Sequence, residues 1–431
     1  MANSVRRVVI TGMGAISPLG NSLDAIWQAF STGTSGVRHL QRLPADVLPT
    51  DVGGEAREFT GAIEDFGPLE KTLQRSIKKG LKLMCREIQM GVAAAQLALQ
   101  HAALTPGAYP PERIGTMFGS DYIISEPAEF CRGIRNCMTN HRFEFSRWGQ
   151  DGLTQVEPLW LLKYLPNMPA SHVAIYNDFR GASNSVTLRE ASSNLSVAEA
   201  VTTIRRNAAD AVVVGSTGSR IHPLRTIHVA LQEQLADKGS EPATACRPFD
   251  AKRTGMVLGE GAGVLVLEEL ESAQRRGATI WGEIVGYGSS TVADQRGIPD
   301  FHKAFGNVIN MSLATARIGG TELGHVHAHG LSTHNCDRGE ARAIHDLLGQ
   351  IPVTAAKSYM GNLGAGSGMV EIIASLLALH HGQLFPILNY EFPDPECPIQ
   401  AVQEPTPIRQ RSFINLNVSP QGQASAVIIR Q

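Results

Sequence analysis

The chain has 431 residues, enough for two packed lobes or one large double-layered core, and its 43% hydrophobic and 18% charged side chains give a globular composition without a bias to disorder. Its 38 basic and 40 acidic residues nearly cancel, which removes the electrostatic case for nucleic acid or an anionic membrane as partner. No apolar run reaches the length of a membrane span, and the opening Met1-Ala2-Asn3-Ser4-Val5-Arg6-Arg7 lacks the apolar centre of a signal peptide, so a cytoplasmic location is expected. The six cysteines (Cys85, Cys131, Cys137, Cys246, Cys336 and Cys397) show no CxxC pair and no zinc spacing, which points to reduced thiols. Cys336, behind a His-rich loop, is the best thiol nucleophile among them, but a buried or incidental thiol is the commoner case.

In chain order, Val8 to Gly14 reads as a short apolar strand ending in a glycine turn. Gly12-x-Gly14 lacks the third glycine of a dinucleotide fingerprint, and Ser17-Pro18-Leu19-Gly20 breaks any immediate helix. Asn21 to Asp24 then caps a helix through Phe30. Residues 42–70 are rich in Pro, Gly and acids and read as a surface excursion, whereas Ser76 to Ala103 has helical spacing. The small residues Gly91, Ala93, Ala94 and Ala95 suit that helix to close packing. Ile114 to Phe118 is a buried strand, and residues 119–172 are an irregular insertion suited to a cap or partner surface.

The stretch Arg180–Asn194 runs from an extended segment through a turn into a helix from Leu195 to Arg206. A side chain at such a turn stands on a helix N-terminus, where backbone N–H groups favour negative charge and enzymes place nucleophiles. The residue there is Glu190. A buried salt bridge to Arg189 or Arg180 is the alternative to a chemical role. Asp210 to Gly215 reads as a strand inside a parallel sheet, followed by Arg247-Pro248-Phe249-Asp250 and by Gly259–Gly263 leading into Val264–Leu267. From Gly282 onward strands and helices alternate again, so the chain is expected to be α/β and internally duplicated.

His325-Val326-His327-Ala328-His329-Gly330 ends a strand. The alternation is read as turning His327 away from the other two, which with no third ligand argues against zinc. His329, at the carboxyl end, is the better acid/base or hydrogen-bonding group, while His325 and His327 suit packing. Lys357 to Gly368 is a glycine-rich turn entering a helix, and it lacks the GK[ST] pair of a phosphate-binding loop.

Taken together, Val8–Gly20, Arg180–Ser193, Arg247–Asp250, Gly255–Gly263, His329–Glu340 and Lys357–Glu371 resemble, in order, the β-ketoacyl-[acyl-carrier-protein] synthase family of fatty-acid and polyketide synthesis, most closely its elongating type II members. The resemblance implies the thiolase-like fold, five layers α/β/α/β/α from two duplicated halves, usually dimeric. The halves would be 1–270, with a cap or dimer insertion near 119–172, and 271–431. It implies neither a cofactor nor a metal. The family's catalytic cysteine falls on Glu190, its first histidine on His329, its second on Asn362 and its lysine on Lys357, with the supporting acids Asp337 and Glu340. The substrate-contacting positions fall on Ser332 and Thr333 and, at the family's phenylalanine gate, on Pro420 and Gln421. Glu-His-Asn thus stands where the family has Cys-His-His.

A carboxylate is a poor attacker at carbonyl carbon and its acyl anhydride is labile, so ordinary condensation through Glu190 is not expected. The favoured expectation is a chain-length-factor-like partner, in a heterodimer with a cysteine-bearing ketosynthase, acting beside acyl chains on the phosphopantetheine of an acyl carrier protein. The alternative is an altered enzyme, a homodimer using Glu190 and His329 for acid/base or decarboxylase chemistry on such chains.

Overall fold

The computed structural model describes residues 6–44 and 48–431; Met1–Val5, the opening of the chain, and residues 45–47 of the 42–70 stretch lie outside the described residues. Among the described residues one mixed sheet of 13 strands runs through the molecule, two of them, Arg38–His39 and Val52–Gly54, lying off its main order. Its first half contains β1 (Val8–Ile16), β2 (Ile114–Ser120), β3 (Ser183–Thr187), β4 (Ala211–Ser219) and β5 (Leu258–Glu269). The second contains β6 (Gly282–Thr291), β7 (His325–His327), β8 (Pro352–Thr354), β9 (Gln400–Ala401), β10 (Ser412–Val418) and β11 (Gln423–Arg430).

From the centre outward the first half runs β1-β5-β4-β2-β3 and the second β6-β11-β10-β7-β8, with β9 added at the far edge. In each half the two inner pairings are antiparallel and the two outer ones parallel. The same five-step topology therefore occurs twice. The halves meet through β1 and β6, paired only at Val9↔Glu283 and Ile10↔Gly282.

Five helices account for the layers: α1 (Arg86–His101), α2 (Ser192–Arg205), α3 (Phe301–Ala316), α4 (His334–Leu348) and α5 (Ser367–His381). Helix α5 is buried continuously from Ser367 to Leu379 because, apart from Glu371, it is apolar or small on every side. It packs against β5 and β10, and α2 packs against β2, β4 and β11, so both lie between the two half-sheets. Helix α1 covers β1, β5 and β4 from outside, and α3, backed by α4, covers β6 and β11. Helix, half-sheet, central helices, half-sheet and helix make five layers.

Several local expectations change. Strand β1 does not turn at its glycines but runs through them, with a register shift between Ile10 and Gly12. A Cβ on Gly12 would come within 2.5 Å of the Ala98 carbonyl, and one on Gly14 within 2.3 Å of that of Ala94, so the glycines seat α1 directly on the strand. The helical spacing of Ser76–Ala103 belongs to two helices, Lys71–Gly80 and α1, separated by a tight turn at Leu81–Leu83. The first buries Ile77 alone while α1 is buried nearly all round, so the two must point their apolar faces differently. The 42–70 stretch is no mere excursion: Ala56, Phe59, Ile63 and Phe66 are buried in one cluster with α1. Helix α2 starts at Ser192, three residues earlier than the apolar pattern indicates.

Candidate functional site

The residues of interest lie just past the carboxyl ends of parallel strands, where open α/β sheets form their crevices. Asp121 follows β2, Glu190 follows β3, Arg220 follows β4, His329 follows β7 and Lys357 follows β8. Asn362 stands in the glycine-rich turn between Lys357–Met360 and α5. Two pairs of equivalent strands contribute, β2 with β7 (Asp121 and His329) and β3 with β8 (Glu190 and Lys357), while Arg220 follows β4 alone. The first half supplies Asp121, Glu190 and Arg220, and the second supplies His329, Lys357 and Asn362.

Glu190 sits in a single helical turn, Arg189–Ala191, that enters α2, and Arg189 adopts a left-handed φ of 53° to make it. The carboxylate is 1% exposed. Its Oε1 accepts from Arg220 Nη2, in a very short contact, and from Asn362 Nδ2 at 3.0 Å. Arg220 Nη1 faces Asp121 Oδ2 at 3.5 Å, and Arg189 Nε lies 3.9 Å from Glu190 Oε2. Arg189 is itself held by Gln232 at 3.0 Å and Glu233 at 2.8 Å. Arg180, the other partner suggested by the sequence, pairs instead with Asp178 and Glu112. Burial alone would raise the Glu190 carboxyl, but the charges of Arg220 and Arg189 and the Asn362 amide outweigh it and hold the group well below the usual carboxylate range. The same burial raises Glu233 despite its arginine partners.

The second-half residues form an adjoining chain. Lys357 Nζ lies 3.2 Å from His329 Nδ1, donates to the His329 carbonyl at 2.8 Å and is paired with Glu371. Burial lowers His329 well below the ordinary histidine value, the Lys357 charge adds to this, and Glu190 opposes it. The imidazole is therefore neutral at neutral pH, and an Nδ1 accepting from Lys357 leaves Nε2 as a donor. That Nε2 has no hydrogen-bond partner among the described residues, and neither has Glu190 Oε2. Asn362 is fixed in orientation, since its Oδ1 accepts from Gly364 N at 3.1 Å and Ser367 Oγ at 3.0 Å.

Glu340 accepts the backbone N–H groups of His329 at 2.6 Å and Gly330 at 2.9 Å; Asp337 accepts those of Leu331, Ser332 and Phe249. Both acids position the 329–332 loop, and burial pushes Glu340 up to about 8 and Asp337 up to about 6. Ser332 is buried and its Oγ accepts from Arg247 N at 3.0 Å; Thr333 precedes α4. Pro420 and Gln421 occupy the turn between β10 and β11, partly exposed and exposed respectively.

The three histidines do not diverge as the alternation suggested. Positions two apart on a strand share a face, and His325 Nε2 and His327 Nδ1 both meet Ser375 Oγ, at 3.0 and 2.7 Å. They are packing histidines of one face, tied to α5. Among the described residues no cluster of three or more His, Cys, Asp or Glu is arranged to hold a metal ion. Cys336 is 3% exposed in an apolar cluster, and burial pushes its thiol well above the ordinary value, which leaves it inert as a nucleophile.

Sequence reasoning missed Arg220 and Asp121. The signal was available: each is the first charged residue after a buried strand, which is where a parallel sheet presents its functional groups. Chemically, the assembled site holds a carboxylate ionised at neutral pH between two guanidinium groups, beside a neutral imidazole donor. An effective general base needs a pKa near the working pH, and Glu190 is displaced in the opposite direction.

A family model described as the N-terminal domain of β-ketoacyl synthase matches residues 5–273, and one described as its C-terminal domain matches residues 281–391. The 3-oxoacyl-[acyl-carrier-protein] synthase 2 of Synechocystis sp. is 32% identical over 409 residues, covering 93% of this chain and 92% of the relative. The solved ishigamide ketosynthase/chain length factor superposes with a TM-score of 0.84 at 25% identity, over 99% of this chain and 100% of that one. A type II polyketide-synthase ketosynthase bound to the hexaketide, in complex with its acyl-carrier protein (AntDE:AntF), gives a TM-score of 0.83 at 24% identity, over 99% of each chain, a likeness of fold. No helix among the described residues is long and apolar enough to cross a membrane.

Proposed function

The chain belongs to the β-ketoacyl synthase family, and from that membership we propose that it is a non-condensing member: a chain-length-factor-like partner of a cysteine-bearing ketosynthase, working beside acyl chains on a carrier protein. The observation that carries this reading is the state of Glu190. Its carboxylate is buried, hydrogen-bonded to Arg220 and Asn362, and held ionised. A group so engaged has neither the nucleophilicity to take an acyl chain nor the basicity to remove a proton. Asn362, at the position of the family's second histidine, commits its amide hydrogens to Glu190 and, at 2.9 Å, to Met256 Sδ, and so is not free to stabilise an enolate. The likeness to a ketosynthase/chain length factor supports a heterodimer; family membership supports a cytoplasmic location, and the two family models, at 5–273 and 281–391, support halves dividing near residue 270.

A second reading, an altered enzyme, draws on one observation: His329 Nε2 and Glu190 Oε2 are buried polar atoms without partners. They would serve acid/base or decarboxylase chemistry on a carrier-bound acyl chain. Against decarboxylation stands the charge of Glu190, which repels a malonyl carboxylate.

Intact-mass spectrometry of malonyl- and acyl-carrier protein incubated with the purified chain separates the two. The partner role predicts no change with the chain alone and extension of the acyl group once a cysteine-bearing ketosynthase is added. Loss of carbon dioxide, water or the acyl group with the chain alone, altered by Glu190→Gln, would establish the enzyme instead.

A further inference from the structure

The buried cluster around Glu190 has the construction of a receptor. Arg220 is fully buried and Arg189 nearly so, and they approach the same carboxylate from two elements, β4 and the turn before α2. Asn362 adds a neutral donor from the second half at 3.0 Å. Each of these groups is held by something other than Glu190. Arg189 is anchored on Gln232 and Glu233, Asn362 on Gly364 and Ser367, and Arg220 faces Asp121 while its Nε lies where a Cβ on Gly364 would come within 3.2 Å. Donors fixed independently of the group they bind are preorganised for it. Donor capacity is also left over, since Arg220 Nε and Nη1 and Arg189 Nε have no hydrogen-bond partner among the described residues.

We infer that Arg220, Arg189 and Asn362 form a binding site for a small carboxylate, and that the chain's own Glu190 side chain occupies it as a tethered ligand. The ligand class is a short monocarboxylate no larger than the Glu190 terminus that the site already encloses. The inference rests on the non-condensing reading and deepens it: the site is silent because its carboxylate hole is already filled. Glu190 is then an internal occupant, and the guanidinium groups are the binding residues.

Glu190→Ala empties the hole, and acetate carries the same heavy atoms that the substitution deletes. The test follows the thermal midpoint of the full chain against sodium acetate, with ionic strength matched by sodium chloride and acetamide as the neutral isostere. The Glu190→Ala variant is expected to gain stability saturably with acetate but not with acetamide, since binding only to the folded state raises the midpoint. Wild type and Glu190→Ala/Arg220→Met should show no acetate-specific rise. A folded Glu190→Ala variant that ignores acetate, or responds equally to acetamide, overturns the inference. If the variant does not fold unaided, refolding yield replaces the midpoint: a gain with acetate alone supports the site, and equal yields overturn it. Acetate rescue together with failed chain extension would leave the carboxylate site standing without the partner role, and the reverse pair of results would do the opposite.

Discussion

Arg220 and Glu190 are unequal members of their pair, and the inequality is measurable. Arg220→Met leaves two buried carboxylates, Glu190 and Asp121, with only the more distant Arg189 between them. Orphaning buried charge in this way costs about 3–5 kcal/mol. Glu190→Gln costs less, because Asp121 still faces Arg220 at 3.5 Å. Urea unfolding of the two variants should rank them so. The pH dependence has a definite sign. Since the folded-state value of Glu190 is depressed, its contribution is fully present above about pH 4.3, the unfolded value, and is lost as the pH falls through the folded one. The wild-type advantage over Glu190→Gln should therefore shrink on acidification. Glu340 works the other way. It is raised to about 8, so the folded state holds its proton more tightly and stability declines as pH rises from about 4.3 to about 8, a slope that Glu340→Gln should flatten. Glu190, His329, Asn362 and Lys357 were legible as candidates because each sits in a motif with fixed neighbours. Arg220 and Asp121 carry a weaker signal: each is the first charged residue after a buried strand, but their meeting at Glu190 depends on β2, β3 and β4 placing their ends side by side, which the linear sequence does not state.

At the level of elements, the sequence showed buried strands well, since β4 and β5 each contain an unbroken apolar run, Ala211–Val214 and Val264–Leu267. It showed breaks poorly. Helical spacing continues across Leu81–Leu83 although the chain turns there, because periodicity reports a face and not where that face must point. Glycines were similarly ambiguous: those of β1 and those before α5 read as turns, yet both let backbone meet backbone. A Cβ on Gly366 would lie 2.3 Å from the Gly261 carbonyl in β5, with no flexible side chain to yield. Gly366→Ala should therefore destabilise by about 1–3 kcal/mol in urea unfolding. It should also disturb the adjoining Asn362 turn, visible as a change in the acetate response of Glu190→Ala.

For the whole molecule, the 119–172 insertion presents Phe145 at 77% exposure, and the helix Met168–Asn177 that closes it, packed on β2 and the edge strand β3, presents Ile175 at 70%. Large apolar side chains so exposed mark association surfaces. In sedimentation experiments Phe145→Asp and Ile175→Asp are expected to weaken assembly with a ketosynthase partner while leaving the unfolding midpoint of the isolated chain nearly unchanged. The duplicated topology was foreseen from the alternation of elements; the narrowness of the join between its halves was not, because pairing across the centre depends on only two residues of β1. That join has a consequence for cleavage. The halves are held by Val9↔Glu283 and Ile10↔Gly282, by the buried faces of α2 and α5, and by a covalent link through 276–281 whose Gly277, Thr279 and Ile280 are exposed. A single proteolytic nick in that link removes none of the packing, so the two fragments should stay associated, co-elute on gel filtration, and reconstitute from denaturant only when mixed.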